Sequence, residues 1–223
     1  MTKFKKHQCA LFDLDGVIVD TAKYHFLAWK KIASQCGYDL TKEDNEQLKG
    51  VSRSDSLIRI LEMAGKRLDK TTFDTYLIQK NEDYLHLIQE LTPNDILPGV
   101  KRALELLKVH KVKIGLGSAS KNALLILEKL ELTPFFEAII DGNAVEKGKP
   151  HPEVFLKGSD ALKVDPAACV VFEDSQAGID AAKAGGMTAI ALGDENVFQH
   201  MDYCYSDFEC LDKAILQDIF YFI

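Results

Sequence analysis

The chain has 223 residues, 47% of them hydrophobic, which is enough for one well-buried domain or for a core domain that carries a smaller insertion. Lys and Arg number 27 and Asp and Glu number 34, so the net charge is -7 and no cationic excess is available to neutralise a nucleic-acid backbone. The composition therefore argues against a nucleic-acid partner, whereas a small anionic substrate would need only a local positive pocket.

The cysteines and the apolar runs predict a cytoplasmic protein. The five cysteines are odd in number and show no C-x-x-C spacing, which favours a reducing compartment. The short apolar run after Lys3, Lys5 and Lys6 is interrupted at Asp13 and Asp15, unlike a secretion signal. No apolar run approaches the roughly 18 to 20 residues that span a bilayer. We therefore expect no membrane partner, and nothing in the sequence demands more than a monomer.

Five short apolar runs rich in β-branched residues predict buried strands. They cover Gln8 to Phe12, Val112 to Leu116, Ala138 to Ile140, Cys169 to Phe172 and Thr188 to Leu192. Between the later runs, Val100 to Lys108 and Asn122 to Leu130 have helical periodicity. This alternation predicts a Rossmann-like parallel sheet core with helices on both faces. The apolar run Ile219 to Ile223 is expected to pack on that core or on a partner.

The stretch between the first and second predicted strands, from about Tyr24 to Glu90, has helical patterning and no convincing strand. Its exit is marked by the breaker pairs Thr92-Pro93 and Pro98-Gly99. The predicted division is an inserted α-helical cap domain over residues 21–91 within an α/β core of residues 1–20 and 92–223. In open parallel sheets the ligand crevice lies outside the carboxyl ends of the strands, so an insertion there can act as a lid.

Two carboxylates stand at the end of the first predicted strand. Asp13 and Asp15 follow the apolar run directly, at the point where hydrophobic burial stops. One carboxylate there can attack phosphorus and form an acyl phosphate, while the second can exchange protons with the leaving or attacking hydroxyl. Acids in this position can equally be loop or cap residues, so the motif alone leaves both interpretations open.

A hydroxyl and a lysine follow later strands. The segment Gly117 to Asn122 opens a helix, where Ser118 and backbone N–H groups can hold phosphate oxygens, although a serine there can also be a plain helix cap. Lys149 precedes Pro150, which restrains the backbone and presents one cation suited to a phosphoryl group. The alternative for this residue is a solvated surface lysine.

A second pair of acids follows the strand Cys169 to Phe172. With Asp13, the carboxylates of Glu173 and Asp174 form an oxygen-ligand set for a hard cation, and Mg²⁺ is the expected metal. Ser175 can instead cap the helix that runs through Ala184, with both acids favourable at its positive end. The two roles can coexist.

Nucleophile, hydroxyl, lysine and acid pair thus follow four different predicted strands. In this pattern the chain resembles the haloacid dehalogenase superfamily over essentially its whole length, with motifs at Asp13-x-Asp15, Ser118, Lys149 and Glu173-Asp174. The resemblance implies a Mg²⁺-dependent enzyme whose catalytic residues are Asp13, Asp15, Ser118 and Lys149 and whose metal site is Asp13, Asp15, Glu173 and Asp174. Two acids in the first motif argue against a dehalogenase, because displacing halide from carbon needs no proton donor for a leaving alkoxide.

Two segments of the predicted cap indicate a branch of this superfamily. Thr21 to Trp29 and Leu48 to Ser56, together with Lys121 and Asn122, resemble its sugar phosphomutases. The resemblance implies interconversion of β-glucose 1-phosphate and glucose 6-phosphate through β-glucose 1,6-bisphosphate, with Asp13 phosphorylated in the cycle. Small sugar phosphates are therefore the expected partners.

A bisphosphate needs two anion sites, and the second is predicted in the cap. The planar fork of Arg53 can bind phosphate oxygens bidentately, and the N–H groups of Gly50 to Ser52 can add to it, although Arg53 could also be an ordinary surface residue. His25, Trp29 and Lys80 resemble cap residues of the family, but they could equally belong to amphipathic helices. The predicted substrate-binding residues are His25, Trp29, Gly50, Val51, Ser52, Arg53, Lys80, Ser118, Ala119, Ser120, Lys121 and Asn122.

Two other functions remain open from the sequence. An acyl phosphate in contact with water hydrolyses, so a Mg²⁺-dependent sugar-phosphate phosphatase differs from the mutase only in how well water is excluded. A non-catalytic sugar-phosphate binding protein could keep the fold and the anion sites but should lack an essential acid. All of the motif acids are present, which disfavours the binding protein.

Overall fold

The computed structural model describes residues 7–222. Residues 1–6 and 223 lie outside the described residues, and with them the predictions that involve Lys3, Lys5, Lys6, Ile223 and the first six residues of the predicted core. Within the described part of the chain, no helix is long and apolar enough to cross a membrane.

The core of residues 7–222 is a six-stranded sheet in which every neighbouring pair of strands is parallel. The strands are β1 (Cys9–Phe12), β2 (Lys113–Gly117), β3 (Ala138–Ile140), β4 (Cys169–Glu173), β5 (Thr188–Leu192) and β6 (Tyr203–Tyr205). Their order across the sheet is β3-β2-β1-β4-β5-β6. The five predicted strands are confirmed, with ends shifted by no more than one residue.

The sequence does not predict β6. This strand has three half-buried residues and pairs with β5 at the edge of the sheet. Its residues are Tyr203, Cys204 and Tyr205, which include none of the β-branched residues that mark the predicted runs.

Nine α-helices occur within residues 7–222. They are α1 (Ala22–Gln35), α2 (Lys42–Glu46), α3 (Arg53–Met63), α4 (Lys70–Leu87), α5 (Val100–Val109), α6 (Ala123–Lys129), α7 (Glu153–Leu162), α8 (Gln176–Ala184) and α9 (Lys213–Ile219). Short 3₁₀ helices lie at Ile88–Glu90, Pro93–Asp95, Thr133–Phe135, Pro166–Ala168 and Glu195–Val197. The two core helices predicted by periodicity are α5 and α6, which confirms the alternation of strands and helices and the Rossmann-like class.

The sheet is buried on both faces because successive side chains of a strand point to opposite sides. In β1, Ala10 and Phe12 belong to one apolar cluster, whereas Cys9 and Leu11 belong to the cluster on the other face. All four residues are fully buried. The strand that precedes Asp13 is therefore fixed by packing from both sides.

The C-terminal run packs on the core. Ile219 and Phe220 are fully buried in the same cluster as Phe12, and the ring of Phe222 stacks on His110 with centroids 4.0 Å apart. Of the two outcomes that the sequence left open for this run, the described residues show packing on the core.

The helices α1 to α4, here called the cap helices, lie between β1 and β2 in the sequence and have a hydrophobic cluster of their own. The cluster contains Trp29 and Ile32 of α1 and Leu57 and Ile60 of α3. A separate cluster shows that these helices bury their apolar faces against one another.

The sheet topology brings three of the sequence motifs to one edge. β1 lies between β2 and β4, with Phe12 in register with Leu116 and Phe172. Asp13, Ser118 and Glu173 therefore lie at or just past the carboxyl ends of three adjacent strands. Ligands of open α/β sheets bind in the crevice at this position.

Candidate active site

The centre of the site is a buried lysine between two carboxylates. The Nζ atom of Lys149 lies 2.6 Å from Oδ1 of Asp13 and 2.5 Å from Oε1 of Glu173. All three residues are at most 4% exposed. Burial raises the pKa of Asp13 to about 7, although Lys149 acts in the opposite direction. Burial alone would lower the pKa of Lys149, but Asp13 and Glu173 outweigh it and hold the pKa of the ammonium above its usual range. Lys149 is therefore a buried cation, not a solvated surface lysine.

The second oxygen of Glu173 is held by the start of α8. It accepts hydrogen bonds from the backbone N–H of Asp174, the backbone N–H of Ser175 and the hydroxyl of Ser175, each at 2.9 Å. The same hydroxyl oxygen accepts from the N–H of Gly178, so Ser175 also caps α8, a role that the sequence left open. Glu173 is thus fixed in orientation by four donors.

The acids at this edge have the donor chemistry of a magnesium site. One carboxylate oxygen from each of Asp13, Glu173 and Asp174 lies within 4.8 Å of the others. Asp174 makes no ion pair within residues 7–222, and burial followed by the charge of Glu173 raises its pKa well above the usual range. A hard divalent cation would relieve this repulsion between carboxylates, so the residues present fit Mg²⁺. The carboxylate of Asp15 is not part of this group.

Asp15 instead interacts with the cap helices. Its Oδ1 accepts a hydrogen bond from the hydroxyl of Thr21, just before α1, and lies 3.7 Å from Nε2 of His25. Burial raises the pKa of the Asp15 carboxyl, against the lowering effect of the Thr21 hydrogen bond. The sequence stretch containing Thr21 indicates the family branch, but nothing in the residue itself marks it as a partner of Asp15.

A buried lysine stands behind His25. The Nζ atom of Lys80 lies 2.8 Å from Nδ1 of His25, and it lies over the rings of Trp29 and Tyr84 at 4.9 and 4.7 Å from their centroids. Burial, then the charge of Arg53, lowers the pKa of Lys80 to about 7. Burial, then the charge of Lys80, lowers the pKa of His25 well below its usual range. His25 is therefore neutral beside Asp15.

We expect Lys80→Met to raise the free energy of unfolding at pH 7 by about 1–4 kcal/mol, because an apolar chain replaces a desolvated ammonium. The unfolded chain keeps this proton to about pH 10, whereas the folded chain releases it above pH 7. The wild type therefore gains stability from this group as the pH rises from 7 to about 10, and the advantage of the variant shrinks over that window. Urea unfolding of both proteins at several pH values measures this difference in the free energy of unfolding.

The matched control is Lys70→Met, which removes an exposed ammonium from the same helix. No gain in the free energy of unfolding is expected there. A Lys80→Met variant less stable than the wild type at pH 7 would mean that the contacts with His25 and the two rings outweigh desolvation.

Arg53 is the first residue of α3 and follows the helix cap Ser52, whose hydroxyl accepts from the N–H of Asp55. The Nη2 atom of Arg53 donates to Oδ1 of Asn81 at 2.7 Å, and Nδ2 of Asn122 donates to the same oxygen at 3.0 Å. Arg53 makes no ion pair within residues 7–222. A partly buried guanidinium without a carboxylate partner is a ready receptor for phosphate.

The serines after β2 shape a loop and do not cap the next helix. Ser118 is fully buried, and its hydroxyl oxygen accepts from the N–H of Ser120 at 3.1 Å. The hydroxyl oxygen of Ser120 accepts from the N–H of Asn122 at 3.2 Å. Asn122 precedes α6 without a side-chain cap. The plain helix-cap interpretation of these serines is therefore wrong.

One cavity gathers most of the predicted residues from the core and the cap helices. Its predicted lining residues are Asp13, Asp15, His25, Trp29, Gly50, Val51, Arg53, Lys80, Ala119, Ser120, Lys121, Asn122 and Asp174. The predicted residues that do not line it are Ser52, Ser118, Lys149 and Glu173, of which the last three are buried behind its wall. The lining residues that sequence reasoning missed are Ala22, Asn45, Leu48, Lys49 and Ser56.

The cap helices and the core touch beside this cavity. Gly50 has φ +71°, and a Cβ built on it would lie 2.3 Å from the hydroxyl oxygen of Ser175 at the start of α8. A Cβ on Gly148 of the core would lie 3.4 Å from the Cβ of Ser52. The loop before α3 therefore packs directly on the core, which closes one side of the cavity.

Residues 10–192 match the family model of the haloacid dehalogenase-like hydrolases, so the chain belongs to this family. The chain is 47% identical over 188 residues to the β-phosphoglucomutase of Bacillus subtilis (strain 168), with 83% of each chain covered. It is 31% identical over 185 residues to the phosphorylated carbohydrates phosphatase of Thermotoga maritima, with 82% of this chain and 83% of that one covered. The crystal structure of β-phosphoglucomutase from Clostridium difficile matches with a TM-score of 0.92 and 39% identity over 95% of this chain and 96% of that one.

Proposed function

We propose that this chain is a β-phosphoglucomutase, which interconverts β-D-glucose 1-phosphate and D-glucose 6-phosphate through β-glucose 1,6-bisphosphate. The observation that carries the proposal is one cavity that joins an acidic phosphoryl-transfer centre at Asp13 to the guanidinium of Arg53, which makes no ion pair within residues 7–222. A bisphosphate has one phosphate for each of these places. The identity of 47% to a mutase, against 31% to a phosphatase, supports the mutase over its closest alternative.

Asp13 is the proposed nucleophile. Its Oδ2 attacks the phosphorus of the bisphosphate, the bond to the sugar oxygen breaks, and an acyl phosphate forms. Lys149 holds the other oxygen, Oδ1, at 2.6 Å and thereby fixes the direction of attack. The hydroxyl of Ser118 is tied to the loop N–H of Ser120, so we assign Ser118 to shaping the phosphate-binding loop.

Asp15 is the proposed acid and base. It gives a proton to the sugar oxygen as the bond to phosphorus breaks and takes one from the other sugar hydroxyl in the reverse transfer. Burial raises its pKa, which favours the protonated form relative to an exposed carboxyl. The hydroxyl of Thr21 holds the carboxyl in place, and the neutral ring of His25 lies beside it.

Asp13, Glu173 and Asp174 would hold Mg²⁺, with Asp15 as the further ligand that the resemblance implies. When bound, the ion offsets the negative charge of the transferring phosphoryl group. We assign residues 21–91 to the cap domain and the rest of the chain to the core. We also expect the enzyme to work as a cytoplasmic monomer.

A mutase must exclude water from the acyl phosphate, and the described contacts support such closure. The cavity is lined from both the cap helices and the core, and the loop at Gly50 packs on Ser175. The apolar side chains of Trp29, Leu48 and Val51 line the cap side. These features favour transfer to a positioned sugar hydroxyl over transfer to water.

We expect Gly50→Ala to lower kcat/KM for β-glucose 1-phosphate by roughly 10- to 100-fold, because the new Cβ would meet Ser175 and hold the cap away from the core. Steady-state kinetics measures it. Gly65→Ala is the matched control, because Gly65 has φ +62° but no atom within 4 Å of a built Cβ. Equal losses in both variants would assign the effect to backbone strain.

A coupled assay for glucose 6-phosphate tests the function itself. The purified protein, given β-glucose 1-phosphate, should form glucose 6-phosphate only when Mg²⁺ and a trace of β-glucose 1,6-bisphosphate are both present. Chelation of the metal should stop the reaction, and added Mg²⁺ should restore it. A protein that forms no glucose 6-phosphate under these conditions would refute the proposal.

A further inference from the structure

The side chain of Asn81 joins the cap helices to the core through one oxygen. Asn81 lies on α4, its partner Arg53 begins α3, and its other partner Asn122 lies in the core loop after β2. The oxygen Oδ1 accepts from Nη2 of Arg53 at 2.7 Å and from Nδ2 of Asn122 at 3.0 Å. We call this set of three residues the Asn81 bridge.

The two donors of the Asn81 bridge line the cavity, whereas Asn81 does not. Asn81 thus lies outside the cavity lining and accepts one hydrogen bond from Arg53 and one from Asn122. Four N–H groups of the guanidinium and one of the Asn122 amide remain for other acceptors. Two side chains that would otherwise lose rotamer freedom on binding an anion are already held in place.

The acceptor Oδ1 of Asn81 is an amide oxygen and carries no net charge, which decides how much positive charge Arg53 offers to a ligand. A carboxylate at this position would form an ion pair with Arg53 and place a negative charge beside the cavity. An amide oxygen orients the same two donors and leaves the positive charge of Arg53 unneutralised. Among residues 7–222, Arg53 has no acidic partner within ion-pair distance, so its charge stays available to a ligand.

We propose that Asn81 is a positioning residue, which holds Arg53 and Asn122 ready for the second phosphate of the sugar bisphosphate. The inference rests on the proposed function and deepens it. Arg53 belongs to the cap helices and Asn122 to the core, and the Asn81 bridge holds the two together. Binding of the second phosphate to both residues would therefore also stabilise the closed arrangement of the cap helices and the core.

The test compares Asn81→Ala, which removes the acceptor, and Asn81→Asp, which keeps the acceptor and adds a charge. The KM for β-glucose 1,6-bisphosphate should rise about tenfold in Asn81→Ala, as expected for losing a hydrogen bond to a charged group. It should rise further in Asn81→Asp, because the new carboxylate would form an ion pair with Arg53 and place a negative charge beside the cavity. Acetyl phosphate carries no second phosphate, so the rate at which it phosphorylates Asp13 should stay within about twofold of the wild type in both variants.

Gln79→Glu is the matched control. It adds the same charge two residues earlier on α4, and the side chain of Gln79 makes no hydrogen bond or ion pair within residues 7–222. This control should behave as the wild type with both substrates. A KM within twofold of the wild type in both Asn81 variants, or a parallel fall in the acetyl phosphate rate, would overturn the inference. A wild type that does not use the bisphosphate would refute the proposed function, and the inference with it.

Discussion

Asp13→Asn is expected to abolish turnover of β-glucose 1-phosphate, a loss of roughly 10⁴-fold or more, because an amide cannot form the acyl phosphate. The variant keeps the shape of the side chain and an oxygen for Lys149, so the fold should persist. Intact-protein mass spectrometry after incubation with the bisphosphate should show a phosphorylated wild type and an unmodified variant. Kinetics and the mass shift together locate the defect at the covalent step.

Asp20→Asn is the control for this change. Asp20 is exposed on the same segment, makes no hydrogen bond or ion pair within residues 7–222, and does not line the cavity. It should retain wild-type turnover. A phosphorylated Asp13→Asn protein would show that another residue is the nucleophile. The role proposed for Asp13, with Lys149 fixing its direction of attack, would then be wrong.

Asp15→Asn is expected to slow the mutase reaction by at least about 10²-fold, because no proton is delivered to the leaving sugar oxygen. Acetyl phosphate gives a different result. Its leaving group is acetate, which departs without a proton donor, so phosphorylation of Asp13 by acetyl phosphate should stay within about tenfold of the wild type. Quench-flow measurement with both phosphate donors separates proton transfer from phosphoryl transfer.

A parallel loss with acetyl phosphate would contradict the acid and base role and would indicate that Asp15 acts on the metal or on the position of the phosphoryl group. Asp20→Asn is again the control, because it shows the effect of an aspartate-to-asparagine change on this segment outside the cavity.

The fold and the four motifs could be predicted because each depends on local pattern. An apolar run of three to five residues marks each predicted strand, and the acids of Asp13 and Glu173 stand at the point where such a run ends. Parallel pairing then brings those ends to one edge without further information. The strand β6 could not be predicted in this way, because its residues Tyr203, Cys204 and Tyr205 include no β-branched residue.

The partners within the site could not be predicted because they join residues far apart in the sequence. Asn81 meets Arg53 and Asn122 across 28 and 41 positions, and nothing in its own neighbourhood marks it. Lys49 lines the cavity and lies in the segment Leu48 to Ser56, which resembles the family branch. Nothing in the sequence distinguishes this lysine from the many others in the chain. For Ser118, the sequence left helix capping open, and only the position of the start of α6 excludes it.

The fate of the phosphoryl group tests the central claim most directly. Phosphorus NMR of the purified protein with β-glucose 1-phosphate, Mg²⁺ and a trace of β-glucose 1,6-bisphosphate follows glucose 6-phosphate and free phosphate in one sample. We predict that glucose 6-phosphate accumulates with little free phosphate, because the closed cavity favours the sugar hydroxyl over water. Free phosphate as the main product would contradict this account and would identify a sugar phosphatase that uses the same aspartate chemistry.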